Sequence, residues 1–130
     1  MGYTIEYLEE DDIVQVTVGG PFSFDSTLDM TSDVIKELSN NDSHRLLQDH
    51  RQASLEMSTL EIFKLPRVAK AFGLSSNTKV ALVYNQDHKD YKFIETTTVN
   101  LGHVLKIFTN IREAKRWLIE TPTGPTKLNY

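Results

Sequence analysis

Residues 43–72, SHRLLQDHRQASLEMSTLEIFKLPRVAKAF, decide how the chain is read. A short apolar pair, Leu46 and Leu47, leads into Asp49-His50-Arg51, and after a small polar connection a helical pattern starts at Ser58. Strand, charged exit, loop and helix in that order make half of a βαβ unit. The strand is expected over His44 to Gln48, so the densest cluster of ionisable groups falls at its carboxyl end, where open α/β sheets hold their working residues. Ser58-Thr59-Leu60-Glu61 is a capping box: the Ser58 hydroxyl accepts from the Glu61 amide while the Glu61 carboxylate reaches back to the Ser58 amide. Met57 and Ile62 stand at the positions of a hydrophobic staple. Pro66 lies too far in for the first turn, which predicts a kink or a division into pieces around Leu60 to Leu65 and Arg67 to Phe72. Gly73 closes the helix.

Upstream, Tyr3, Ile5 and Tyr7 alternate with Thr4 and Glu6, Glu10-Asp11-Asp12 interrupts, and Ile13 to Val18 resumes, a hairpin pattern. Val14, Val16 and Val18 share the face expected to be buried, while Ile13, Gln15 and Thr17 share the other. Gly19-Gly20-Pro21 is expected to stop that strand; it lacks the spacing and the Lys of a phosphate loop. Asp25 or Ser26 is the expected cap of a helix with Leu28, Thr31, Val34, Ile35 and Leu38 at helical spacing, ended by Asn40-Asn41-Asp42.

Downstream, Lys79 to Tyr84 is a continuous apolar run, the best candidate for the central strand. A weaker helix is expected from Lys89 to Asn100, with Tyr91, Ile94 and Thr98 on one side and the β-branched run Thr96 to Val99 lowering its propensity. Gly102 ends it, Val104 to Phe108 is the last strand, and Asn110 with Glu113 repeats the capping spacing. The closing helix carries Ile111, Ala114, Trp117 and Leu118 inward. Residues 1–121 read as one domain and 122–130, with Pro122, Gly124 and Pro125, as a flexible tail.

The whole is an α/β chain of order β-β-α-β-α-β-α-β-α: a mostly parallel five-stranded sheet with an antiparallel leading strand and about four helices. Right-handed crossovers with each strand added on the same side put all helices on one face. The other face stays partly open, with Gln15, Thr17 and Lys106 among its residues. That arrangement has no reversal of strand order and so no dinucleotide crevice. It also leaves Ile13, Val80 or Ala81, Val83, and Leu105 or Ile107 to be covered by the leading hairpin and first helix or by a second copy, and a homodimer is the expectation.

Composition narrows the function classes. With 39% hydrophobic and 25% charged residues the chain has the balance of a folded globular protein rather than a disordered one. A net charge of -4 without a Lys/Arg stripe argues against nucleic acid and anionic membrane surfaces. The absence of Cys excludes thiol catalysis and thiolate metal sites and fits a cytoplasmic location. No signal peptide or apolar run of spanning length is read, so membrane insertion is not expected.

The order of elements, and above all residues 79–118, KVALVYNQDHKDYKFIETTTVNLGHVLKIFTNIREAKRWL, resembles the SpoIIAA-like branch of the STAS superfamily. The resemblance is carried by Asp49-His50-Arg51 at the end of a strand, by Gly102, by Val104-Leu105-Lys106-Ile107-Phe108 and by Ala114-Lys115-Arg116-Trp117-Leu118. It implies the β/α superhelix shared by bacterial anti-sigma-factor antagonists, sulfate-transporter cytosolic domains and, more remotely, CRAL-TRIO lipid-transfer domains. The antagonists carry Asp-Ser-Ser-Gly at the start of the helix after the third strand, and a kinase partner phosphorylates the Ser. The matching residues here are Met57-Ser58-Thr59-Leu60, which keep the hydroxyls and lose the Asp and the Gly. Ser58 and Thr59 are thus candidate phosphorylation sites by resemblance, while Ser58 is fully accounted for as a cap.

Asp49, His50 and Arg51, with Asp87 and His88 at the next strand exit, form a candidate ligand or partner surface. No i, i+4 His pair, Ser-His-Asp order or nucleophile elbow accompanies them, so no enzyme or cofactor is read, with an acid/base or metal site at these strand ends as the lesser alternative. His44 and His103 read as solvated strand-edge residues. Tyr91, Phe93, Ile94 and Val99 form a stripe with two readings, ordinary core or the wall of an apolar pocket. The function expected is a non-enzymatic regulatory or protein-interaction module, with a carrier or sensor of a small apolar ligand or lipid as the alternative.

Overall fold

The computed structural model describes residues 2–85, 90–100 and 102–120. Its elements, in chain order, are β1 (Gly2–Leu8), β2 (Ile13–Phe22), α1 (Phe24–Asn40), β3 (Arg45–Leu55), α2 (Thr59–Ala71), β4 (Lys79–Val83), α3 (Asp90–Asn100), β5 (Val104–Phe108) and α4 (Ile111–Glu120). The strands lie in the order in which they are made, β1-β2-β3-β4-β5, with β1 antiparallel to β2 and every other pair parallel. Each parallel pair needs a long crossover, which α1, α2 and α3 supply in turn.

The alternation along the strands sorts the core into two layers. Val14, Val16, Val18, Leu46 and Val80 pack with Met30, Val34 and Leu38 of α1. Leu82 packs with Ile62 of α2 and with Tyr91 and Ile94 of α3. The intervening strand residues, Ile13, Leu47, Ala81 and Val83, point to the opposite face and meet Ala114 and Leu118 of α4. The expectation that all helices share one face is therefore wrong for α4. The handedness rule governs crossovers between parallel strands, and among the described residues α4 connects no such pair, so the rule does not place it with the other three. α4 covers the apolar part of the second face within one chain, which removes the argument from an uncovered sheet for a homodimer.

Two contacts fix α4 at both ends. The Asn110 side-chain oxygen accepts from the Arg112 and Glu113 amides at 2.8 and 3.2 Å, satisfying donors left free by the first turn. Near the other end, buried Lys79 donates to the Trp117 carbonyl at 2.8 Å and lies 4.1 Å from the Trp117 ring centre. A cation there opposes the negative end of the helix dipole. Trp117 itself is half-buried, its ring 5.7 Å from that of Phe108.

Several boundaries differ from the sequence reading. β2 runs through Gly19-Gly20-Pro21 to Phe22, with a register shift against β3 between Thr17 and Gly19. The extra residue of that bulge lies in β3, where His50 and Arg51 oppose Val18 alone, and the glycines, Gly20 at φ 78°, continue the strand rather than stop it. β1 pairs only as far as Gly19, so Pro21 meets no neighbour on that side and its missing N–H costs no ladder bond there. β3 likewise continues past Asp49, the last residue paired with β4, to Leu55. Among the described residues the two extensions pair beyond Gly19 only with each other and form a ribbon overhanging the sheet. The cap of α1 is Ser23 rather than Asp25 or Ser26, and its buried face is Thr27, Met30, Val34 and Leu38. α2 is continuous through Pro66. Its C-terminus is the double bond predicted by Gly73, with the Gly73 amide on the Lys70 carbonyl at 3.1 Å and the Leu74 amide on the Ala69 carbonyl at 2.9 Å.

Candidate functional site

Asp49, His50 and Arg51 do not form one site, because β3 carries on through them and alternate residues of a strand face opposite ways. Asp49 and Arg51 lie on the α4 face. One Asp49 oxygen accepts from the Arg51 amide and Nε at 3.1 and 2.9 Å, and the other from Nη2 at 2.8 Å. Burial works to raise the Asp49 pKa, but these bonds and the Arg51 charge outweigh it and hold the carboxyl below its usual range. An acid so firmly ionised is a poor proton donor at neutral pH. The pair is a closed bidentate fork.

His50 points the other way, into the interior beneath the helices, and is 1% exposed. Its Nε2 lies 3.1 Å from Gln48 Oε1 and its Nδ1 3.1 Å from the Tyr91 hydroxyl. A carbonyl oxygen only accepts, so Nε2 carries the proton and Nδ1 accepts from Tyr91. Burial pushes the His50 pKa down to about 4, against a smaller upward pull from Asp49, and the ring is neutral at pH 7. Burial likewise raises the Tyr91 hydroxyl above its ordinary value. Phe22 from the overhanging ribbon stacks edge-on to His50 with ring centres 4.6 Å apart.

His50 lines a cavity of about 100 Å³ between the sheet and α1, α2 and α3, walled mainly by Phe22, Met30, Leu65, Val80, Leu82 and Ile94. A smaller cavity of about 60 Å³ between α1 and α2 shares Met30, Thr31, Gln48, Ala69 and Leu74 with it. His103 lines the larger one as well. It is 8% exposed, and its Nε2 is buried without a hydrogen-bond partner among the described residues. This corrects the reading of His103 as a solvated edge residue; His44 is half-buried, with its Nδ1 also unpartnered. A buried polar atom left unpaired costs about 1–3 kcal/mol. Burial, and after it the charge of Lys70, lowers the His103 pKa, so this ring too is neutral at pH 7. Sequence reasoning missed His103; its place between the helix-ending Gly102 and the strand start at Val104 was the available signal. Of the apolar stripe, Ile94 lines the cavity and Tyr91 lies behind His50, whereas Phe93 and Val99 face solvent.

At the other candidate position, the capping box forms as read: the Glu61 amide donates to Ser58 Oγ at 3.2 Å and the Ser58 amide to Glu61 Oε1 at 2.9 Å. Ser58 and Thr59 are both exposed. Directly after them Leu60 and Phe63 are 62% and 43% exposed, on one face of α2 at i, i+3 spacing. The Arg67 guanidinium covers the Phe63 ring at 3.8 Å. Asp87 and His88 lie outside the described residues. Among the described residues no group of His and carboxylates is arranged to hold a metal ion, and no helix is long and apolar enough to cross a membrane.

No family model and no curated protein matches the chain. Solved structures do. An anti-sigma factor antagonist from Mycobacterium paratuberculosis superposes with a TM-score of 0.59 at 14% identity, over 90% of this chain and 94% of its own. An uncharacterised protein with a SpoIIAA-like fold from Shewanella loihica gives 0.57 at 15%, over 90% and 92%. The anti-sigma factor antagonist SpoIIAA in its unphosphorylated form gives 0.51 at 12%, over 87% and 94%. The chain therefore has a SpoIIAA-like fold.

Proposed function

We propose that the chain is a non-enzymatic regulatory module that acts by binding a protein partner at the N-terminal half of α2. The observation that carries this reading is the exposed Leu60–Phe63 face directly after Ser58 and Thr59. Side chains of this size on a helix surface gain by being covered, and aromatic residues with Arg, here Phe63 and Arg67, are favoured at interface centres. The neighbouring hydroxyls sit at the positive end of α2, where a phosphate would be stabilised. Added charge beside the apolar face would alter its affinity for a partner, so Ser58 or Thr59 is the place for a switch. The likeness in fold to two anti-sigma factor antagonists supports the same reading. The closed Asp49–Arg51 fork and the buried, neutral His50 give no acid/base pair open to a substrate.

The test is photo-crosslinking from position 64, exposed on the same helix, in cells of the source organism, followed by the same capture with Leu60→Asp/Phe63→Asp and, as a control on another helix, Ile119→Asp. A partner lost with the α2 variant and kept with the control supports the reading. A partner held equally by all three overturns it.

A further inference from the structure

We propose that the cavity beneath α1, α2 and α3 binds a small neutral molecule, the size of one aromatic ring and bearing a hydroxyl group, which hydrogen-bonds to His103. Four observations set its chemistry. The first is size: at about 100 Å³ the cavity is close to the apolar cavities of about 150 Å³ that admit benzene, and far too small for a lipid tail. The second is the wall, where Phe22, Met30, Leu65, Val80, Leu82 and Ile94 offer an apolar ring dispersion contacts on several sides.

The third is charge. Among the described residues no Asp, Glu, Lys or Arg lines the cavity, and both histidines in its wall are neutral at pH 7. An ion entering it would lose its hydration without a counter-charge, so the site selects against carboxylates, phosphates and amines. The fourth is the unpartnered Nε2 of His103. A neutral ring nitrogen is either a donor or an acceptor according to its tautomer, and a hydroxyl serves either one. The His50 nitrogens are already engaged by Gln48 and Tyr91, which leaves His103 as the histidine to be satisfied. Entry is through the α1–α2 side, where Thr31, Gln48, Ala69 and Leu74 are half-exposed and shared with the smaller cavity.

This inference is independent of the α2 surface, and its test uses the full chain with phenol and benzene as probes. In long-range proton–nitrogen spectra, phenol should shift the His103 Nε2 resonance saturably in the millimolar range and leave His44 unmoved. Benzene should bind about fivefold more weakly, the difference made by one net hydrogen bond. Ala69→Leu, which adds bulk at the wall, should abolish binding of both probes; because that variant could misfold, His103→Phe is the second, expected to bind the two probes equally. Phenol that leaves His103 unshifted, or benzene that binds wild type as well as phenol does, overturns the proposal. So does a cavity that retains only ordered water at saturating phenol.

Discussion

Acid should destabilise this protein in a window set by His50. The ring is neutral in the fold, its pKa pushed from 6.5 to about 4 by burial. In the unfolded chain it takes up a proton at its ordinary value. Between those two values the unfolded state binds more protons than the folded state, so stability falls as the pH is lowered through the window and is whole above it. At about 1.36 kcal/mol per pH unit, the interval from 6.5 to about 4 amounts to about 3 kcal/mol. With a urea slope of about 1.5 kcal/mol per molar, the unfolding midpoint should drop by about 2 M between neutral pH and pH 4. Asp49, held below its ordinary 3.8, loses its contribution only under that window. His103 acts in the same direction as His50, so the assay compares wild type with His50→Gln. The variant starts lower at neutral pH through lost contacts with Tyr91 and Phe22, but its slope should be clearly shallower. Parallel slopes for the two proteins across the window would refute the reasoning, as would a His50 proton resonance titrating near 6.5 in the folded state.

Ser58→Ala should cost about 1 kcal/mol in urea unfolding through the lost cap, and Ser58→Asp, which keeps a carboxylate acceptor at the cap, should be tolerated; no change for Ala would show that the Glu61 amide does not depend on it. Leu118→Ala should cost about 3 kcal/mol, because the side chain is fully buried against the second face of the sheet, and a cost within the range of surface substitutions would mean that α4 is not docked there. Light scattering at micromolar concentration should return a mass near 14.9 kDa for wild type and a larger mass for Leu118→Asp, which exposes the face that α4 covers; a wild-type dimer would count against α4 as the cover.

Most of the fold was legible because local signals and tertiary demands agree. KVALVY reads as a buried strand because both faces of β4 are covered, although the centre of the sheet is β3, and Ser58-x-x-Glu61 reads as a helix start because the cap needs only its own four residues. Strand ends were misread where polar residues continue an extended chain: a bulge at His50 and Arg51 lets Ala53 and Leu55 resume the buried face of β3 one residue out of step with Leu46, and Gly19-Gly20 looks like punctuation although β2 runs through it. The side of the sheet taken by α4 was out of reach, since its apolar stripe says only that it packs, and the crossover rule speaks only for helices that connect parallel strands. For the site, the exposed capping serine was visible locally. The cavity was not, because it is made by side chains from α1, α2, α3 and four strands, and the burial of His103 follows from that assembly alone.

The sequential strand order and the late position of α4 together set a schedule for synthesis. Each strand from β2 onward can join the edge left by the one before it, and α1, α2 and α3 close over one side as the sheet grows. The other side stays bare at Ile13, Leu47, Ala81 and Val83 until α4, the last of the described elements, arrives. A chain still being translated therefore carries a finished front and an unsealed back, and transiently exposed apolar surface is where nascent chains aggregate or recruit chaperones. The capping Asn110 and the Lys79 anchor at Trp117 promote the step that ends this interval. Substitutions at either should lower the yield of folded protein during translation more than they lower the stability of the purified product.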